Sequence, residues 1–258
     1  MSNAGRCALV IPCYNESSRL QDVWFLAFVR LQESVDLCFV DDGSSDDTAD
    51  RLAALALEQP DRITLLQLPA NVGKAEAVRQ GLLRAVAEGY EMAGYLDADL
   101  AAPLESAVLL REELEAHPDL VMAIGSRVKL LGWQISRSER RHYLGRVFAT
   151  FASLTLGLPV YDTQCGAKML RLVPAVVAAL QEPFMSRWLF DVELIARLRD
   201  GVGAEYLREV PLPVWRDPGG SSVRVSDFLK APLELWRIGR RYPWSTRPSS
   251  TPSGPAPT

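Results

Sequence analysis

Only two histidines, His117 and His142, occur in the 258 residues, and the four cysteines, Cys7, Cys13, Cys38 and Cys165, form no C-x-x-C pair. A zinc site of ordinary type needs more nitrogen and sulfur ligands at closer spacing, so the cysteines are expected as reduced thiols of a cytosolic protein. No run of eighteen apolar residues occurs, which excludes a helix long enough to cross a bilayer. Met1 to Arg6 leads into the first apolar stretch without a cleavage-site pattern, so no signal peptide is expected. An excess of positive charge is missing as well. The net charge of -4 and a pI near 5.4 argue against a general nucleic-acid binder, and any basic patch must be local. Finally, no G-x-G-x-x-G follows the first apolar run, which disfavours ordinary dinucleotide binding and leaves any diphosphate to be neutralised by metal and side chains.

What is present begins with Ala8-Leu9-Val10-Ile11-Pro12, a short apolar run stopped by proline that suits a buried parallel strand. The polar loop Cys13-Tyr14-Asn15-Glu16-Ser17 follows, with Ser17 or Ser18 placed to cap a helix over 19–31. A second run, Val35 to Val40, ends in Asp41-Asp42-Gly43-Ser44, and Asp46 is placed to cap a helix reaching about Leu57. Ile63 to Leu68 reads as a third strand, 74–88 as a long helix, Glu91 to Leu96 as a fourth strand and Val121 to Ile124 as the last core strand. Strand-then-helix units in succession predict an α/β fold with a mostly parallel open sheet flanked by helices. Ligands of such sheets sit outside the carboxyl ends of the strands, so Tyr14, Asn15, Glu16, Asp41, Asp42, Lys74, Asp97 and Asp99 are expected around one cleft.

Asp97-Ala98-Asp99 carries the sharpest expectation. Two carboxylates at a strand exit suit a hard divalent ion, Mg²⁺ or Mn²⁺, which binds one or two protein carboxylates and shares its remaining positions with water and phosphate. Asp-x-Asp is also common in solvated loops, so the pair gains weight only from its neighbours. Asp41 and Asp42 suit hydrogen bonding to a nucleotide base or ribose. Beyond residue 125, Ser136 to Leu158 begins basic and turns apolar. That gradient fits a segment at a membrane surface, with Phe148, Phe151 and Leu154 toward acyl chains, and equally a helix packed on the sheet with its charged end in water. Arg127, Arg137, Arg140 and Arg187 are candidate phosphate binders. Asp191 and Glu193 share a face only if extended. Cys165 reads as a packed thiol, and Val225 to Ile238 as an amphipathic helix with Trp236 on its apolar side. Ser245 to Thr258 has the composition of a disordered tail.

Taken in order, Ile11-Pro12-Cys13-Tyr14-Asn15-Glu16, Val40 to Thr48, Asn71-Val72-Gly73-Lys74 and Asp97-Ala98-Asp99 resemble the motifs of the family-2 glycosyltransferases of GT-A fold. Asp162 to Lys168 and Arg187 to Leu194 look like the blocks of its dolichyl-phosphate glucosyltransferase and polyprenyl-phosphate mannosyltransferase branch. The resemblance spans about residues 7–240. It implies a GT-A (Rossmann-like) domain over 1–244, with a nucleotide-sugar half at 7–125 and an acceptor half with amphipathic helices at 126–244. By the same resemblance Pro12, Tyr14 and Glu16 help hold the nucleotide, Asp41 or Asp42 reads its base, Lys74 and Asp97 lie along the ribose and diphosphate, and Gln164 and Lys168 lie near the donor sugar or diphosphate. Asp99, helped by Asp97, holds the metal, and Arg127, Arg187 and Asp191 serve the reaction centre. Two departures stand out: Ala101 replaces the Gln of mannosyltransferase relatives, and Ser222 replaces the Lys of a Gly-Ser-Lys loop, where Arg216 or Arg224 could supply the charge. The first tilts the donor toward UDP-glucose over GDP-mannose. The implied activity is inverting transfer of a hexose to a polyprenyl phosphate by a peripheral protein at the cytoplasmic face of a membrane. The alternatives are a glycan or diacylglycerol acceptor, a nucleotidyltransferase, and a non-catalytic nucleotide-sugar module.

Overall fold

Short runs of Val, Ile, Leu and Phe bounded by turn residues become the strands β1 (Cys7–Cys13), β2 (Val35–Asp41), β3 (Ile63–Gln67), β4 (Met92–Leu96) and β5 (Met122–Ser126). They are followed by β6 (Gln134–Ser136), β7 (Ala167–Arg171), β8 (Leu207–Pro211) and β9 (Val214–Arg216). The structure, a computed structural model, describes residues 5–129, 131–136, 139–216 and 225–244. The helices are α1 (Asp22–Leu31), α2 (Thr48–Glu58), α3 (Lys74–Ala87), α4 (Glu105–Ala116), α5 (Glu139–Leu156), α6 (Pro174–Gln181), α7 (Phe190–Gly201) and α8 (Val225–Arg241).

Seven strands form one sheet in the order β3-β2-β1-β4-β7-β5-β8, and β6 pairs with β9 in a small second one. All neighbours in the large sheet are parallel except at β7, which runs antiparallel to both β4 and β5. The mostly parallel α/β sheet expected from the sequence is therefore present. Side-chain alternation splits its core in two. Leu9, Ile11, Phe39 and Met169 pack with Phe25, Leu52 and Leu110 on one face, while Val10, Val40, Tyr95 and Leu170 pack with Val78, Leu82, Phe190 and Leu194 on the other.

Several sequence expectations shift. Helix α1 starts at Asp22 without a side-chain cap, because Ser17 donates its amide and hydroxyl to Asp46 Oδ2 instead (3.2 and 2.6 Å). Asp46 sits one residue before the cap of α2, accepting the Thr48 N–H at 3.1 Å and its hydroxyl at 2.5 Å. The hydroxyl and amide bonds outweigh desolvation and hold its carboxyl down at about 2. Strand β5 is not the last: β7 inserts between it and β4, and β8 takes the edge. Strand β6 precedes α5, which begins at Glu139 rather than 136. On α8 the buried side is Ala231, Leu235 and Ile238, and Trp236 is 56% exposed, turned away from it. Residues 217–224, Arg137 and the proposed tail at 245–258 lie outside the described residues, as does the side chain of Arg140.

The reversed strand imposes a steric demand on its partner. A Cβ added at Gly94 of β4 would overlap the backbone carbonyl of Lys168 and lie 2.9 Å from Met169 Sδ. Gly94→Ala is expected to cost about 1–3 kcal/mol, a fall of roughly 3–10 °C in melting temperature. Gly201→Ala, whose methyl meets nothing closer than 3.9 Å, should stay within about 2 °C of the parent. Calorimetric melting of the two variants beside the parent checks both.

Candidate active site

The carboxyl ends of β1, β2 and β4 lie at one end of the sheet, and because β7 is reversed its first residue meets the last of β4, with Leu96 opposite Ala167. The loops after β1 and β2 are stitched together. Asn15, held at a φ of 52°, donates its amide to Ser44 Oγ (3.0 Å) and accepts the Ser45 N–H on Oδ1 (2.8 Å), and the Glu16 amide donates to Thr48 Oγ1 (2.8 Å). Tyr14 is exposed at the rim, and Glu16 pairs with Arg19. Burial pushes the Glu16 carboxyl up, Arg19 opposes it, and Asp99 and Asp97 add to the rise. All three carboxylates therefore feel one another.

Asp41 and Asp42 are both buried and both engage the backbone. Asp41 Oδ1 accepts the Ser44 N–H at 3.1 Å. Asp42 has both oxygens occupied, by the amides of Val72 and Gly73 at 2.8 Å each, so it clasps the loop that leads to Lys74. Burial raises its carboxyl, while those two amides and Arg187 lower it. Gly73 has a φ of 99°, and a Cβ there would run into the Arg187 guanidinium. Exposed Arg187 lies over that glycine and donates to Asn71 Oδ1 at 3.0 Å. The loop-holding role of Asp42 was not visible in the sequence, where it reads with Asp41 as a hydrogen-bonding partner for a base or ribose.

Lys74, at the start of α3, pairs with Asp97 Oδ1. Desolvation pulls the ammonium down, but Asp97 and Asp191 outweigh it and hold it up. Asp99 is different. Its only hydrogen bond among the described residues comes from the Ala101 amide at 3.0 Å. Burial first, and Asp97 second, push its carboxyl up. A half-buried carboxylate beside another, with no cationic side chain bound to it, fits a hard divalent ion held by Asp99 and Asp97. No group of three or more ligating side chains gathers among the described residues, so the other positions would fall to water and phosphate oxygens. Ala101 is itself buried, and its carbonyl accepts the Arg216 amide of β9 at 2.9 Å.

On the reversed strand the expectations need correction. Lys168 is 1% exposed, and register places it opposite Tyr95 inside the sheet. Its ammonium donates to Asp191 Oδ1 (2.5 Å) and to the Cys165 carbonyl (2.6 Å), and the Tyr95 hydroxyl donates to the same Asp191 oxygen at 2.5 Å. Burial, reinforced by Asp191, keeps the Tyr95 hydroxyl protonated. Asp191, expected at the reaction centre as acceptor-side base or orienter, is held in a charge-compensated cluster with Lys168 and Tyr95, which suits the second of those roles. Glu193 lies on helical backbone and binds Arg197 and the Met185 amide.

Arg127 is also corrected. Its fork closes on Asp162, Nε to Oδ2 at 2.5 Å and Nη2 to Oδ1 at 2.7 Å, and it stacks on Trp215 at 4.8 Å. Desolvation opposes its charge, but Asp162 holds it well above the ordinary arginine value. Glu209 pins the turn by accepting the amides of Tyr161 (2.7 Å) and Asp162 (2.8 Å). The turn 162–166 then passes against the donor side, where a Cβ at Gly166 would strike the Asp97 carboxylate. Gln164 precedes it, its amide nitrogen buried without a partner among the described residues. The Cys165 thiol is packed, and burial pushes it up to about 12. Tyr95, Asp162 and Glu209 were missed because their partners are more than thirty residues away in the chain.

Helix α5 buries Ala149, Ala152 and Leu156, and leaves Val147, Phe151 (58%) and Leu154 (66%) exposed. Phe148, expected to face outward with them, packs instead on Trp188 with ring centroids 5.6 Å apart. Leu233 and Trp236 of α8 are exposed too, with Arg240 over the Trp236 ring at 4.9 Å. Among the described residues no helix is long and apolar enough to cross a membrane.

Comparison with known proteins agrees with this layout. The chain is 30% identical over 243 residues to a dolichyl-phosphate beta-glucosyltransferase of Trichomonas vaginalis, covering 89% of this chain and 69% of that protein. It is 29% identical over 256 residues to the dolichyl-phosphate beta-glucosyltransferase of Saccharomyces cerevisiae, covering 91% and 74%. A polyprenol monophosphomannose synthase of Mycolicibacterium smegmatis is 30% identical over 241 residues, covering 92% and 88%. Among solved structures, Mycobacterium tuberculosis glucosyl-3-phosphoglycerate synthase in complex with Mn²⁺, UDP-glucose and phosphoglyceric acid superposes with a TM-score of 0.67 at 19% identity, covering 92% of this chain and 80% of that one. That last likeness shows the GT-A fold. Residues 8–174 match the model of glycosyl transferase family 2, and the chain belongs to that family of enzymes.

Proposed function

We propose that this glycosyltransferase moves a hexose from a nucleotide-diphosphate sugar to a polyprenyl phosphate with inversion at the anomeric carbon. UDP-glucose is the first-choice donor. The observation that carries the reading is Asp99: a half-buried carboxylate, beside the Asp97–Lys74 pair, that no cationic side chain binds among the described residues. The similarity to dolichyl-phosphate beta-glucosyltransferases supports the donor and acceptor classes. GDP-mannose is the second reading, favoured by the similarity to the mannose synthase.

In this mechanism Asp99 and Asp97 hold Mg²⁺ or Mn²⁺, which when bound neutralises charge on the leaving diphosphate. Lys74 lies beside Asp97 and shares its charge with the same phosphates. Arg187, exposed above Gly73, adds a cation at the donor loop. The acceptor phosphate, with a second pKa of about 6, is already largely ionised at neutral pH and needs no strong base. Its oxygen attacks the anomeric carbon from the face opposite the diphosphate. The carbon–oxygen bond to the nucleotide breaks, and its electron pair stays on the diphosphate. Asp191 acts as a positioning residue, fixing Lys168 and Tyr95 beneath the reacting groups. The exposed apolar residues of α5 and α8 support a peripheral position at a membrane surface, where such an acceptor resides.

Purified protein with Mn²⁺ or Mg²⁺ is expected to glycosylate a prenyl phosphate from UDP-glucose or GDP-mannose and to leave the dephosphorylated alcohol unused. A product assay with both acceptors decides it: absence of transfer from every common nucleotide sugar, or equal use of the alcohol, overturns the reading.

A second expectation concerns Asp99. Its folded-state pKa is raised, so its charge burdens the folded state above that pKa and the burden is relieved as pH falls through it. Asp99→Asn should therefore melt at or above the parent temperature without ligand, while losing the metal-dependent stabilisation by UDP-glucose and at least about 100-fold in kcat/KM, roughly 2.7 kcal/mol. In the parent, donor binding with metal should weaken on acidification from above the ordinary aspartate range. Thermal melts across pH, with and without Mn²⁺ and UDP-glucose, test all three.

A further inference from the structure

Two adjoining spaces lie between α5 and the turn that follows it. The first is a cavity of about 40 Å³ bounded by Arg146, Phe148, Ala149, Tyr161, Thr163 and Gln164. The second is an open groove of about 310 Å³ bounded by Ala149, Thr150, Ser153, Leu154, Pro159 and Val160. Arg146, Ala149 and Tyr161 line both, so the two spaces meet there.

Their chemistries differ. Thr163 is 1% exposed, and its hydroxyl has no hydrogen-bond partner among the described residues; the Gln164 amide nitrogen is buried and unpartnered as well. Buried polar groups left in that state call for a bound partner. Arg146 supplies the cation. It stacks on the Tyr161 ring at 4.0 Å and donates to the Tyr161 carbonyl at 3.3 Å, with no carboxylate partner among the described residues. Arg127, the other guanidinium lining the cavity, is already closed on Asp162. The Asp162 carboxylate also lines the space but is engaged by Arg127, so what is left to meet an anion is a hydroxyl, an amide donor and the Arg146 guanidinium. The larger space is walled mainly by carbon and ends at exposed Leu154.

From this juxtaposition we infer that the cavity and groove form the acceptor subsite: Arg146, Thr163 and Gln164 hold the phosphate of a polyprenyl phosphate, and the groove along α5 holds its first two isoprene units. The inference rests on the function proposed above and deepens it by adding Arg146 and Thr163 and by moving Gln164 from the donor to the acceptor. The subsite also lies where the reaction needs it. The turn 162–166 that carries Thr163 and Gln164 is pressed through Gly166 against Asp97 on the donor side. Beyond the groove, exposed Phe151 and Leu154 continue the apolar path toward the surface, where the rest of a long chain would enter a bilayer.

The test uses the full chain and farnesyl phosphate, with binding measured by titration calorimetry and transfer by product assay. Arg146→Gln is expected to raise Kd and KM for farnesyl phosphate at least tenfold, with kcat within about threefold and UDP-glucose binding unchanged. Thr163→Val should do the same, and it supplies the answer if Arg146→Gln fails to fold. Thr150→Trp, on the exposed groove wall, should weaken farnesyl phosphate at least tenfold and dimethylallyl phosphate less than twofold. Phosphatidate should not compete with farnesyl phosphate; competition at equal concentration would make the cavity a lipid-headgroup site and overturn the inference. If the variants bind and glycosylate farnesyl phosphate like the parent, the subsite is wrong and the proposed reaction stands. If the parent neither binds nor glycosylates any prenyl phosphate yet still binds UDP-glucose with metal, the acceptor reading fails, and this subsite with it.

Discussion

Like charges crowded at one end of a sheet must each find a counterpart, and that requirement organises this molecule. Asp97 takes Lys74, Asp191 takes Lys168, Asp162 takes Arg127 and Glu16 takes Arg19. Asp42 is satisfied by two backbone amides instead. Each pairing fixes a loop: Asp42 the approach to α3, Asp162 the turn before β7, Asp191 the start of α7. In a medium less polar than water these attractions are strong, and an uncompensated member would be correspondingly costly. Asp99, which has only an amide, is the place where the accounting stays open, and there an external cation has something to do.

Topology decides what surrounds that place. Were β7 parallel to its neighbours, the turn preceding it would emerge at the opposite end of the sheet. Because it is reversed, residues 162–166 arrive beside Asp97, and the start of α7 brings Asp191 under Tyr95. One antiparallel strand thus sets the turn before β7 and the start of α7 against the loops that follow β1, β2 and β4. The two halves share a sheet and a core rather than facing each other across a linker.

Much of the first half was legible because its strands are apolar runs, with β2 and β4 leading straight into acids, and because α2 follows an Asp/Ser turn and α3 opens on lysine. The second half hides its strands. Lys168 breaks the apolar character of Ala167–Arg171, and only a partner twenty-three residues on makes burial of its ammonium tolerable, so the run did not read as a core strand. The same blindness affected Arg127: a motif arginine looks like a phosphate ligand until its carboxylate, thirty-five residues away, is seen. Helix faces were legible only in part. Phe148 and Phe151 are three residues apart and read alike, yet one meets Trp188 and the other meets solvent. On α8, neighbouring Leu235 and Trp236 face opposite ways, and bulk alone suggested the wrong one. Periodicity locates an element better than it orients one when both sides carry apolar residues.

Gly166 draws a last consequence. Its backbone touches the Asp97 carboxylate so closely that not even a methyl group fits between them. The partition between the Asp97 carboxylate and the turn 162–166 is therefore bare backbone, the thinnest a polypeptide can build, with no side chain standing in it.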